Sequence, residues 1–450
     1  MLAAHWQPEG YTVPNAAVYP HQWLWDSCFH AVIWAHLGEP DRAVAELSNV
    51  FAHQADDGFV PHMTYWRAPD MHAAFWGRRH TSCITQPPMF GHAIAEMERQ
   101  GAGVPREVID AAAAGLDFLV HRRPELLHPW ESGCDDSPRW DDWCPSANGH
   151  SDVPDQPDQP DQPDQPDQPD QADQADGGTW DRDRWRATKG DLVAALRFDP
   201  GSGSPVGSDR FAVRSAGFDA LVAFNASELA SVTDAPHVRA LADHTIAACR
   251  WGDRWDDSRV TWRDVDRVGT RPREGLGASD RCRTLEALLP LLVASTASPS
   301  TDGANDQISI AAAWREVVDP TAFGGVCGPA AVHRAEPAFD PVTYWRGPAW
   351  PQLTYLLWIA AGRSGRTTEA AWLRERLVTG SVASGWAEYW HPDSGVGLGA
   401  MPQSWAGLAT VVDASSGGVE RRHGPFGRPR PSTPGGVVGG SGGRAASPSA

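Results

Sequence analysis

The chain has 450 residues, enough to bury one large core or two ordinary ones. A formal net charge of -19 argues against a nucleic-acid partner, because phosphate binding wants a basic face. Apolar residues make up 41% of the sequence but never form a long uninterrupted run, so no membrane span is expected.

Residues 1–8 lack the basic and apolar regions of a secretory signal, which predicts a cytoplasmic protein. Cys28, Cys83, Cys134, Cys144, Cys249, Cys282 and Cys327 are scattered without a C-x-x-C pair, so free thiols are expected and a structural zinc site is not. The 22 tryptophans outnumber the 13 Phe and 6 Tyr. An indole can stack on the C–H face of a sugar ring while its N–H donates a hydrogen bond, although any single Trp is equally well read as core.

In chain order, residues 27–38 carry apolar side chains on most faces, as a helix buried between neighbours would, and Gly38 and Pro40 supply its stop. A second helix is predicted from about 41 to 54, with Ala43, Val44, Leu47, Val50 and Phe51 on one face. Similar helical stretches recur near 88–100, 106–120, 217–231, 235–250, 282–295, 308–317, 349–362, 367–379 and 403–411. Strand-like alternation is scarce. This series fits a bundle, a solenoid or a toroid of paired helices, and the missing internal period weakens the solenoid.

Two stretches are set apart from the fold. Between 152 and 178 Pro-Asp-Gln repeats in tandem, too polar and proline-rich to pack, and this stretch holds nine aspartates. From 414 to 450 the chain is rich in Gly, Pro, Ser and Arg, the composition of a flexible tail. One catalytic domain over 1–413, interrupted by the insert, is expected. Lys189 is the sole lysine, which is taken as compositional bias.

Cleaving a glycosidic bond takes a proton donor at the leaving oxygen and a second carboxylate across the ring. Two aromatic loops offer them. The first is Trp130-Glu131-Ser132-Gly133-Cys134-Asp135-Asp136-Ser137-Pro138-Arg139-Trp140-Asp141, where burial against an indole would raise a carboxyl pKa. In the second, Glu388 is flanked by Trp386, Tyr389 and Trp390. From composition alone each loop is as well read as a solvated acidic turn. Histidines 30, 36, 62 and 72 lack metal-ligand spacing, and the Gly-rich runs lack the context of a phosphate loop.

The pattern Trp-Glu-Ser-Gly-x-Asp-x-Ser-x-Arg-Trp resembles the general-acid signature of trehalases and of glycoside hydrolase family 63, and Glu388-Tyr389 resembles their base motif. Further blocks resemble the bacterial mannosylglycerate and glucosylglycerate hydrolase branch of that family. They are Tyr19-Pro20-His21-Gln22-Trp23-Leu24-Trp25-Asp26-Ser27, Thr85-Gln86-Pro87-Pro88, Tyr344-Trp345-Arg346-Gly347-Pro348-Ala349-Trp350 and Gln403-Ser404-Trp405.

The resemblance implies an all-α (α/α)6 barrel, inversion at the anomeric carbon, and neither metal nor organic cofactor. It makes Asp135 the acid and Glu388 the base. It lines the sugar site with Tyr19, Trp23, Trp25, Asp26, Gln86, Tyr344, Trp345, Arg346, Trp350 and Gln403. The expected partner is a small carbohydrate, a glucosyl or mannosyl unit on an acceptor such as glycerate. Trehalase-like or oligosaccharide α-glucosidase activity, and sugar binding without catalysis, are the alternatives. Two positions depart from the pattern. Asp136 stands where Asn is common, and is expected to point away from its neighbour. Residues 209–218 depart from the Arg- and Tyr-bearing loop that grips glycerate in those hydrolases.

Overall fold

The computed structural model describes residues 1–143, 182–248, 251–268, 271–272, 282–293 and 303–414. The Pro-Asp-Gln insert, the tail beyond Ala414, Cys144 and Cys249 lie outside the described residues.

The principal helices are α1 (Leu24–His36), α2 (Pro40–Phe51), α3 (Phe90–Arg99), α4 (Arg106–Asp117), α5 (Arg182–Ala194), α6 (Ala216–Val232), α7 (Pro236–Ala248), α8 (Gly303–Val318), α9 (Pro351–Arg363), α10 (Thr367–Ala383) and α11 (Leu408–Ala414). A 3₁₀ helix, Leu285–Leu292, lies between α7 and α8. Six of these elements close a ring by neighbour packing: α1 on α3, α3 on α6, α6 on Leu285–Leu292, that segment on α9, α9 on α11, and α11 back on α1. Outside them α2 pairs with α1, α4 with α3, α7 with α6, α8 with Leu285–Leu292, and α10 with α9. The architecture is the (α/α)6 toroid.

Burial explains which helices go inside. Every residue from Leu24 to Ala35 is buried, as is every residue from Pro351 to Ala361, because helices covered on both sides must be apolar nearly all round. In α2 only Ala43, Glu46, Leu47 and Val50 are buried, the single stripe of an outer helix. At about 2 kcal/mol per fully buried large aliphatic side chain, this inner ring is what holds the fold.

The structure differs from expectation in three places. Within 282–295, expected as one more helix like the others, Leu285–Leu292 form a 3₁₀ helix with Pro290 inside it, where the ring removes a backbone donor. Residues 403–411 divide into a 3₁₀ turn, Ser404–Gly407, followed by α11. Helix α5 was not anticipated, because Thr188 and Lys189 interrupt the apolar stripe of Trp185, Leu192 and Val193. Among the described residues strands are two to four residues long and pair antiparallel, such as Gln22–Trp23 with Met63–Thr64 and Tyr389–Trp390 with Gly397–Leu398. No described helix is long and apolar enough to cross a membrane. Cys28, Cys83, Cys134, Cys282 and Cys327 are free thiols.

Candidate active site

Loops that enter the inner helices converge on one pocket of about 590 Å³. Tyr19 comes from the loop before α1, Trp23 immediately precedes that helix, and Trp25 and Asp26 stand in its first turn. Gln86 precedes α3, Tyr344 and Trp345 precede α9, and Gln403 caps the turn before α11 by accepting from the Ser404 N–H. Asp135 and Glu388 both face this space.

The Asp135 loop is fastened on all sides. Glu131, fully buried, pairs with Arg123 (2.5 Å) and accepts from the amides of Leu127 (2.6 Å) and Thr85 (3.2 Å). Trp140 Nε1 donates to the Cys134 carbonyl (2.9 Å), and the Ser137 hydroxyl donates to buried Glu286 (2.9 Å). Arg139 pairs with Asp264, whose other oxygen accepts from the first amide of α6 (2.8 Å). The acids and Arg of this motif apart from Asp135 and Asp136 therefore build the loop. Gly133 sits at a φ of 75°, and a Cβ there would come within 2.6 Å of the Trp25 ring, so the motif's glycine is required twice over.

Asp135 keeps 22% of its side-chain surface, while the whole Glu388 residue retains 2%. Burial, then the charge of Asp136, pushes the Asp135 carboxyl up to about 6. Burial pushes Glu388 up to about 7. The donors at Glu388 oppose that rise: the Ala400 amide at 2.9 Å and the Tyr19 phenol at 3.1 and 3.3 Å from its two oxygens. Burial and the nearby Glu388 hold the Tyr19 phenol well above its ordinary pKa, so it remains a donor. Asp26 is likewise raised, by burial and then by Glu388.

Trp350 and Arg346 stand behind the lining. Trp350 stacks on Trp345 at 3.6 Å and 4° and on Tyr389 at 4.5 Å, so it backs the wall. Arg346 donates to the Asp136 carbonyl (3.2 Å) and grips the Asp141 carboxylate, tying the acid loop to the aromatic wall. Four lining side chains were absent from the expected set: Pro14, His62, Trp130 and Trp405. Trp130 and Trp405 sit inside quoted motifs, which was their signal; Pro14 and His62 carried none. Burial lowers His62 to about 3, so it is neutral.

Asp136 does not point away. Its carboxylate is bonded by Lys189, whose Nζ is also 3.5 Å from Asp135 Oδ2, so one ammonium gathers two adjacent side chains. In residues 209–218, Arg210 pairs with Asp191 and Arg214 with Asp219, and Phe211 packs against Trp143 at 4.8 Å. Elsewhere His92, Glu96 and Glu228 bring ligand atoms within 4.8 Å of one another. Arg99 bonds both glutamates and Arg363 bonds Glu228 (2.7 Å), so two guanidinium groups already fill the place of a cation.

A six-helix inner ring whose entry loops hold one buried and one partly buried carboxylate among indoles is the build of a toroidal glycosidase. The family model described as the mannosylglycerate hydrolase MGH1-like glycoside hydrolase domain matches residues 19–406, and the chain belongs to that glycoside hydrolase family. It is 28% identical to a mannosylglycerate hydrolase of Rubrobacter radiotolerans, covering 92% of this chain and 94% of the relative. It is also 28% identical to a glucosylglycerate hydrolase of Mycolicibacterium hassiacum, covering 89% and 93%. The crystal structure of the family 63 mannosylglycerate hydrolase from Thermus thermophilus in complex with Tris superposes with a TM-score of 0.68 at 25% identity, over 91% of this chain and 97% of that one.

Proposed function

We propose that the protein hydrolyses an α-glucosyl or α-mannosyl glycoside of glycerate by single displacement, with Asp135 as general acid and Glu388 as general base. The observation that carries this reading is one indole-walled pocket faced by two carboxylates, Glu388 buried and Asp135 partly open, both displaced towards neutrality. Asp135 gives its proton to the glycosidic oxygen as the C1–O bond breaks, and Glu388 takes a proton from the water attacking the opposite face. The Tyr19 and Ala400 donors suit an ionised Glu388, and the more open Asp135 suits contact with a leaving group. Trp23, Trp25, Trp345 and Trp405 offer faces to the sugar, and Asp26, Gln86 and Gln403 offer hydrogen bonds to its hydroxyls. No cofactor enters this chemistry. The free thiols suit a reducing, cytoplasmic setting.

The glycerate acceptor rests on the names of both relatives at 28% identity. A second reading, a disaccharide or short α-glucan as substrate, is favoured by one observation: among the described residues, no Lys or Arg lines the pocket. A reducing-sugar screen on glucosylglycerate, mannosylglycerate, trehalose and short α-glucans, with Asp135→Asn as blank, separates the two. Release of glucose or mannose from a glycerate substrate alone is the expected result, with the β-anomer appearing first by NMR; an initial α-anomer overturns inversion. Binding without turnover on every substrate would make the protein a sugar-binding relative.

A further inference from the structure

The chain's single lysine stands next to its candidate acid. Lys189 lies in α5, and its side chain is 8% exposed. Its ammonium contacts Asp136 Oδ1, lies 3.5 Å from Asp135 Oδ2, and sits 5.3 Å from the Trp130 ring centre. Its backbone is fixed to the same loop. Trp130 N–H donates to His128 Nδ1 (3.1 Å), which leaves the proton of neutral His128 on Nε2, donated to the Lys189 carbonyl (3.0 Å).

A cation alone beside a general acid would strip it of its proton, and a carboxylate alone beside it would make the product of proton donation costly. We propose that Lys189 and Asp136 act as a positioning pair for the acid: Asp136 neutralises the ammonium while Asp135 holds its proton, and Lys189 compensates the carboxylate that remains after donation. In that step the Asp135 O–H bond breaks, the proton bonds the glycosidic oxygen, and the negative charge left on Asp135 lies 3.5 Å from a positive one. The other groups facing Asp135 do not supply this balance. Glu388, Tyr19 and Tyr344 are acids, Cys134 is a thiol held protonated by burial, and Arg346 is committed to Asp141.

The inference rests on Asp135 being the acid, and its test reads Asp135 directly. Isotope-edited infrared titration of the ¹³C-aspartate-labelled full chain, referenced to Asp135→Asn, gives the Asp135 midpoint without turnover. Asp136→Asn leaves the ammonium uncompensated and is expected to lower that midpoint by about one unit. Lys189→Met leaves two carboxylates together and raises it, and Lys189→Met/Asp136→Asn returns it towards the parent value. The pH optimum of kcat/KM follows in the same directions, whereas a purely structural pair would scale the profile without moving it. Near-UV circular dichroism checks folding. Should Lys189→Met fail to fold, Asp136→Asn and the double variant carry the decision. An unmoved midpoint in the folded variants overturns the proposal even if hydrolysis persists. A moved midpoint with no hydrolysis of any glycoside upholds the pair's control of Asp135 and removes the reading of that residue as an acid.

Discussion

Tyr19 donates to both oxygens of Glu388 and, with the Ala400 amide, favours the ionised form of the proposed base against its burial. Tyr19→Phe removes a donor to the charged form, so the Glu388 carboxyl rises further and the pH optimum of kcat/KM moves up. At pH 6 the loss is expected to be about tenfold or more, the usual weight of a hydrogen bond to a charged group. Asp135→Asn and Glu388→Gln are each expected to cut kcat by roughly 10³, with unchanged circular dichroism, as removal of a general acid or base does. The parent profile is expected to be a bell with its optimum between about 6 and 7, its two apparent values belonging to the pair. Asp135 and Glu388 could be picked out because each sits in a recognisable motif. The facing of Asp136 could not, because its partner lies 53 residues onward, beyond the low-complexity insert.

The turn after Glu388, the proposed base, has its own requirement. Gly399 sits at a φ of 70°, and a Cβ there would fall 2.5 Å from Glu388 Oε2 and 2.5 Å from the Tyr389 ring. Gly399→Ala is expected to cost about 1–3 kcal/mol in urea unfolding and to lower kcat at least tenfold, since the base must shift to make room. The sequence showed a glycine-rich stretch after Glu388 but not which glycine touched the carboxylate. Helices were readable where one packing environment dominated: the inner α1 and α9 by continuous apolar character, the outer α2 by its stripe. Leu285–Leu292 misled because its composition is that of an inner helix while Pro290 tightens its geometry. Helix α5 was invisible for the opposite reason. Its charged residues follow directly on the Pro-Asp-Gln stretch, and its buried stripe, Trp185, Thr188, Lys189, Leu192 and Val193, carries polar residues at its middle positions.

At the scale of the molecule, the site is held at some expense to stability. Glu388 has a folded pKa of about 7 against an ordinary 4.5, so between these values the native state keeps a proton that the unfolded chain has lost. Its contribution to stability therefore falls as pH rises through that window and is lowest above it. Glu388→Gln removes the penalty. It is expected to be more stable than the parent by roughly 1–3 kcal/mol at pH 8 and little different at pH 4.5, measured by urea unfolding at both. Deleting residues 152–178 is expected to leave kcat and the unfolding midpoint unchanged, as the proposal of one catalytic domain interrupted by a non-packing insert requires. The toroid closes when α11 packs back on α1, and Glu388, Gln403 and Trp405 come from the stretch of chain that leads into that closing helix. On the ribosome, where N-terminal parts emerge first, Tyr19 and Asp26 are made long before their partners, 369 residues separating Tyr19 from Glu388. The lining of the pocket is therefore complete only once the stretch from Glu388 to Trp405 has been made.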